Sequence, residues 1–166
     1  MNAFLLVLFF ASITIAYGAI RFAPWLPTRR RDIERALSLA DLKAGETFID
    51  LGCGDGRVVS EAAKRGAQAI GYEIALPLYL ACILRRNGRG ARYFFKDLFR
   101  ADVSKADVIY LFGTPPTLRG RLREKLEREL KPGARVLSYA FAIDGWTPAT
   151  VDKPEGTALP IYRYSR

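Results

Sequence analysis

Phe48-Ile49-Asp50-Leu51-Gly52-Cys53-Gly54-Asp55-Gly56-Arg57 begins as a short apolar run, places glycine at every second position, and resumes as Arg57-Val58-Val59. An apolar run ending in a glycine turn and followed by an amphipathic stretch reads as strand, turn and helix start. Gly52 and Gly54 let the backbone turn sharply and approach a ligand, and Gly56 lets the helix start pack closely. Glu73 closes the next apolar run, about twenty residues past the first glycine, where a carboxylate accepts hydrogen bonds from ribose hydroxyls. That order describes a nucleotide-cofactor site.

The spacing is G-x-G-x-G, and Arg57 follows Gly56, so the third glycine of a dinucleotide fingerprint is missing. Asp50 at the strand end is a poor neighbour for a pyrophosphate and a good one for a cationic ligand. Asp97, just after a third apolar run, is placed to reach an adenine amino group, with Leu98 beside it. Any one of these residues alone reads as a structural glycine or a solvated strand-end charge. The four signals in this order favour a cationic nucleoside.

Outward from this turn, short apolar runs alternate with amphipathic stretches. Strands are expected at Thr47 to Leu51, Gln68 to Glu73, Ala91 to Phe95, Asp107 to Phe112 and Ala134 to Phe141. Helices are expected at Thr28 to Ala40, Arg57 to Arg65, Ala75 to Asn87 and Thr117 to Leu130, the first with Thr28 as its N-cap. This βαβ rhythm predicts an α/β fold of the Rossmann-like, doubly wound kind, with a mostly parallel sheet. Two last extended pieces, Ala149 to Val151 and Pro160 to Tyr164, fit an antiparallel edge hairpin.

At 166 residues and 50% hydrophobic content the chain suits one folded domain. It has no histidine, which excludes a Ser/His/Asp triad, a His-ligated metal and an imidazole base. Cys53 and Cys82 form neither a disulfide framework nor a zinc site, and no metal is expected. The net charge of +9 sits largely in short clusters, Arg29 to Arg31 and Arg85 with Arg86 and Arg89 among them. It reads equally as a solvated basic face and as a surface for anionic partners.

Ala3 to Ile20 is eighteen residues without a charge. As a helix it would span roughly 27 Å at about 1.5 Å per residue, just enough to cross a bilayer. Phe22 and Trp25 follow where aromatic rings prefer the interface, and Arg21 with Arg29 to Arg31 gives a positive flank on the C-terminal side. One N-terminal transmembrane helix is therefore expected, with the remainder on the cytoplasmic face. A cleaved signal peptide fits less well, because Met1-Asn2 lacks a basic side chain and Ala16-Tyr17-Gly18 is a poor cleavage site. The expected organisation is an anchor at 1–22, a Pro-rich linker at 23–27 and a catalytic domain at 28–166.

These residues resemble class I S-adenosylmethionine-dependent methyltransferases over nearly all of Thr28 to Arg166. The segments PTRRRDIER at 27 to 35, FIDLGCGDGRVV at 48 to 59, GYEI at 71 to 74, KDLF at 96 to 99, ELKPGARVLSYAF at 129 to 141 and Gly145-Trp146-Thr147-Pro148 carry the likeness further. Together they are similar to the small protein-lysine methyltransferases, among them mitochondrial enzymes acting on the adenine nucleotide translocase and the ATP synthase c-ring, and archaeal relatives. The resemblance implies S-adenosyl-L-methionine as cofactor, bound by Asp50, Gly52, Gly54, Glu73 and Asp97, and Cys53, Gly56 and Leu98 beside them complete the candidate binding set. It implies a protein lysine as acceptor, a membrane protein among the options, and a mitochondrial membrane as the location in a eukaryote. Relatives often carry His-Asp where this chain has Tyr139-Ala140, and an acid where it has Ala142.

The acceptor is expected to enter beside Leu111-Phe112-Gly113-Thr114-Pro115-Pro116, at the C-terminal edge of the sheet. This segment lacks the Asn or Asp before Pro-Pro with which amino-base methyltransferases hold a nucleobase, so nucleic acid is not the expected partner. Phe112 offers a cation–π face, and the Phe112 and Gly113 carbonyls offer acceptors for an amine. With Tyr139 they are the candidate catalytic residues. Tyr110, Asp144 and Trp146 are weaker candidates that read first as core or turn residues. The rival readings are methylation of RNA or a small molecule, and a non-catalytic membrane-bound cofactor-binding domain.

Overall fold

The computed structural model describes residues 2–85 and 90–166. Arg86 and Arg89 of the second basic cluster, and the end of the expected Ala75 to Asn87 helix, lie outside them. Seven strands form one sheet: β1 (Thr47–Leu51), β2 (Gln68–Glu73), β3 (Ala91–Phe95), β4 (Val108–Leu111), β5 (Arg135–Tyr139), β6 (Thr150–Asp152) and β7 (Ile161–Ser165). The helices are α1 (Ala3–Arg21), α2 (Arg30–Leu39), α3 (Arg57–Lys64), α4 (Leu76–Arg85), α5 (Pro115–Arg119) and α6 (Arg121–Glu129). A 3-10 turn covers Leu98–Arg100.

The strand order is β3-β2-β1-β4-β5-β7-β6. The first five strands run parallel, and β7 pairs antiparallel with both β5 and β6, as the hairpin reading anticipated. Successive connections from β1 run one way to β2 and β3, whereas β4 and β5 lie on the other side. A crevice must therefore open at the C-terminal ends of β1 and β4, where the winding reverses. Both Gly52 and Gly113 lie just past those strand ends, and the register sets Asp50 opposite Tyr110 and Leu51 opposite Leu111.

Side chains alternate across the sheet, so Phe48 joins one core with Ile33, Leu37, Val58, Val59 and Cys82, while Ile49 and Leu51 join the other with Leu118, Leu122 and Leu126. Central β4 is buried at all four positions, as a strand covered on both faces must be. The expected Thr117 to Leu130 helix is two helices broken at Gly120, whose ψ of −116° is far from helical. The N-cap of α2 is Arg29 and not Thr28. Thr28 is drawn inward instead, its hydroxyl 3.0 Å from that of Tyr110.

The N-terminus departs most from the sequence reading. Among the described residues no helix is long and apolar enough to cross a membrane. The C-terminal part of α1 is held against the domain. The Leu76 amide donates to Thr14 Oγ1 at 3.0 Å, and a Cβ on Gly18 would lie 3.2 Å from Ile74. Phe22, expected at a lipid interface, is buried in the core, and its carbonyl accepts from the hydroxyls of Thr114 and Thr117 at 3.0 Å each. Residues 23–27, expected as a linker, contribute to the lining of the crevice.

Candidate functional site

The crevice holds a cavity of about 90 Å³ walled by three parts of the chain. Asp50, Gly52, Cys53, Gly54 and Glu73 come from the ends of β1 and β2 and the glycine turn; Asp97 and Leu98 follow β3; Tyr110 and Phe112 follow β4. The third wall is the N-terminal segment, including Tyr17, Gly18, Phe22, Trp25 and Thr28, which the sequence reading assigned to an anchor and linker.

All three glycines of the turn have positive φ, 87° at Gly52, 58° at Gly54 and 77° at Gly56, a region that L side chains avoid. The turn is also crowded. A Cβ on Gly52 would meet the Phe22 ring at 3.0 Å, one on Gly54 the Trp25 Nε1 at 2.7 Å, and one on Gly56 the Tyr93 ring at 2.7 Å. Gly56 therefore sits beneath the site as the N-cap of α3, outside the cavity lining.

Glu73 organises the turn. One carboxylate oxygen accepts from the Gly54 amide at 2.8 Å, and the other accepts from the Ile74 and Ala75 amides at 2.8 and 2.7 Å. Burial still outweighs these donors and raises its pKa. Asp55 shows the opposite balance. Burial pushes its carboxyl up, but bonding to Arg57 at 2.7 Å and the charges of Arg57 and Arg85 hold it below the usual range.

Asp50 is 2% exposed, and its carboxylate has no hydrogen-bond partner among the described residues. Burial first, then the negative charges of Glu73 and Asp55, push its pKa well above the ordinary value. A carboxyl that lines a cavity and has no partner within the described chain is free to meet a group from outside it. Glu73 Oε2 retains acceptor capacity, and Asp97 accepts from the Phe99 amide at 2.9 Å and from the Tyr17 hydroxyl at 3.4 Å. Such a set suits a cation that carries hydroxyls. It fits the adenosyl sulfonium the sequence pointed to, with Asp50 and Glu73 as the residues able to hold it.

On the acceptor side, aromatic rings line up along the sheet edge. Phe112 lies 6.0 Å from Tyr139 and 6.3 Å from Phe141, and Tyr110 lies 6.4 Å from Tyr139. Tyr139 does not line the cavity; its hydroxyl donates to buried Asp32 at 2.9 Å. Burial, then that bond, push its pKa up to about 12, so it remains a neutral phenol. Gly113 is likewise outside the lining, wedged so that a Cβ would lie 2.9 Å from Leu118 and Phe22. Asp144 pairs with Arg119 at the surface, and the Trp146 indole donates to Glu127 at 2.8 Å, so neither reaches the mouth. Among the described residues no cluster is suited to a metal.

The fold and the acid-rimmed glycine cradle define a class I, S-adenosylmethionine-dependent methyltransferase. The comparisons narrow this class. The chain belongs to the ANTKMT methyltransferase domain family, whose profile matches residues 50–150. It is 38% identical over 138 residues to a protein-lysine N-methyltransferase of Saccharolobus islandicus, covering 80% of this chain and 85% of that protein. It is 35% identical over 129 residues to the human ATP synthase C-subunit lysine N-methyltransferase, covering 75% of this chain and 54% of the human one. This chain thus spans about half the length of that human relative. Among solved structures, an RNA methyltransferase from Salinibacter ruber in complex with S-adenosyl-L-homocysteine aligns with a TM-score of 0.80 at 33% identity, covering 84% of this chain and 93% of that one.

Proposed function

We propose that this enzyme transfers the methyl group of S-adenosyl-L-methionine to the ε-amino group of a protein lysine at a membrane surface. The observation that carries the reading is the juxtaposition of Asp50 with the Tyr110 and Phe112 rings, an acid and aromatic side chains in one cavity lining. An amine approaching there meets cation–π faces and a carboxylate, not the fixed amide edge that would read a nucleobase. The curated relatives named above that act on lysine support the same acceptor.

When bound, the cofactor supplies an electrophilic methyl carbon, and the chain's task is alignment. Asp50 balances positive charge at the strand end. Glu73 fixes the Gly54 amide and so the shape of the cradle. Phe112 and Tyr110 desolvate the incoming amine. With an ordinary pKa of about 10.4, a lysine costs roughly 4 to 5 kcal/mol to neutralise at pH 7, and both burial and an adjacent positive charge reduce that cost. Tyr139, held neutral against Asp32, shapes this wall and takes no proton.

The membrane part of the proposal rests on α1. Leu5, Val7, Leu8, Phe9 and Phe10 are all exposed, an apolar surface large for a water-facing helix. With Arg21 in its last turn and Arg29 to Arg31 following, α1 rests the catalytic domain on the cytoplasmic face, these cations toward the anionic headgroups.

RNA is the second reading, favoured by the +9 charge and by the likeness to the Salinibacter RNA methyltransferase. Incubation of the chain with methyl-labelled cofactor and a membrane fraction separates the two. Nuclease-resistant label recovered as methyl-lysine after hydrolysis supports the proposal. Label that disappears with nuclease contradicts it.

A further inference from the structure

Resting on the membrane-surface reading above, we propose that the catalytic domain itself touches the bilayer: α1, α4 and the end of β3 form one platform for an anionic lipid surface. The starting observation is α4. Its sequence LPLYLACILR has no charge before Arg85, and only Cys82 is buried in it. Leu80, Ile83 and Leu84 are 52%, 41% and 86% exposed. Their i, i+3, i+4 spacing puts them on one stripe, where a water-facing helix carries polar side chains. Neighbouring α3 follows that rule, since Glu61 and Lys64 pair with each other across its outer face.

The stripe is continuous with the apolar helix. The first turn of α4 is bonded to Thr14 of α1, and Phe95 at the end of β3 packs on Tyr79 of α4 with ring centroids 5.5 Å apart while remaining 46% exposed. Between α1 and β3 a groove of about 440 Å³ has Ile13, Ile74 and Phe95 as its apolar walls and Lys96 and Arg100 at its rim. Both cations are exposed, and neither forms an ion pair among the described residues. Asp97, the acid in the groove, is engaged by Tyr17 and by the Phe99 amide.

An apolar floor with free cations at its edge matches the boundary of an anionic bilayer, acyl chains below and phosphates above. Lys96 and Arg100 take the phosphates, and Leu80, Ile83 and Leu84 enter beside α1. Docking by two elements fixes the tilt of the domain, which one helix alone leaves free. The cavity walled by the end of α1 is then held close to the headgroup layer. The acceptor lysines it serves are those at the lipid–water boundary of membrane proteins.

Because Cys53 and Cys82 are buried, a nitroxide attached to L84C, F9C or K153C of the full chain reports a single place. Each labelled protein is mixed with phosphatidylcholine vesicles with or without phosphatidylglycerol, and access to oxygen and to a polar nickel reagent is measured. The platform predicts that labels at Leu84 and Phe9 both enter lipid on the anionic vesicles while that at Lys153 stays in water. It also predicts that K96E/R100E weakens partitioning by about tenfold or more. A Leu84 label that stays in water while the Phe9 label inserts overturns the platform and leaves the membrane reading standing. Neither label inserting overturns the membrane reading itself. Shielding of Leu84 without vesicles, growing with protein concentration, would assign this face to a second copy and also overturn the proposal.

Discussion

At the scale of single residues, Asp50 is the most informative group in the chain. With its folded-state pKa raised, the folded protein holds a proton in a pH range where the unfolded chain, with a carboxyl near about 3.9, has lost it. Stability contributed this way is present at low pH and is lost as pH rises through the folded pKa. Glu73 is shifted in the same direction and adds to the same slope. Urea unfolding across this range should therefore show Asp50→Asn more stable than the parent at neutral pH, by about 1 to 3 kcal/mol, with a flatter pH profile. A destabilised variant with an unchanged slope would mean that Asp50 has a partner that relieves it. The residues of the cradle were legible because motif and spacing put them on one strand–turn–helix unit. What spacing did not reveal is that Glu73 spends most of its capacity on backbone amides, because those donors exist only once the turn has folded.

Among the elements, the glycine turn needs its left-handed backbone, and Gly56→Ala combines a φ of 77° with a contact of 2.7 Å to the Tyr93 ring. A loss of about 1 to 3 kcal/mol is expected in chemical denaturation, where an unchanged midpoint would contradict the geometry. Segment 22–28 is the element the sequence concealed. Its prolines and aromatic residues read equally as a stiff linker at an interface, and only the burial of Phe22 and the seat of Trp25 on Gly54 show it to be a wall of the site. A cavity of about 90 Å³ is well below the roughly 300 Å³ or more of ligand sites, and the Trp25 ring lies in its lining against Gly54. Binding of the cofactor is expected to move that ring. In a Trp146→Phe background, Trp25 emission should change saturably on addition of cofactor, and no change under conditions where calorimetry records binding would refute the movement. The break at Gly120 was equally hidden, since Thr117 to Leu130 keeps a helical apolar period on both sides of it.

For the molecule as a whole, sheet winding and site chemistry agree. Both the reversal point of the strands and the charge balance at that point direct a cationic nucleoside to the ends of β1 and β4. The strand alternation made the fold readable, because five parallel strands leave little freedom in order or handedness. Hydropathy predicts a spanning N-terminal helix, whereas among the described residues no helix is long and apolar enough to cross a membrane, and hydropathy does not show which residues of α1 pack on the domain. The most direct test of the central claim is a calorimetric titration of S-adenosyl-L-methionine at a series of pH values from acid to neutral, in buffers of different ionisation enthalpy. A cation that settles beside Asp50 favours its ionised form, so binding is predicted to release a proton, and in Asp50→Asn the affinity should be at least about tenfold weaker with the release lost. Uptake of a pyridine dinucleotide instead, or equal and proton-neutral binding by both proteins, would contradict it.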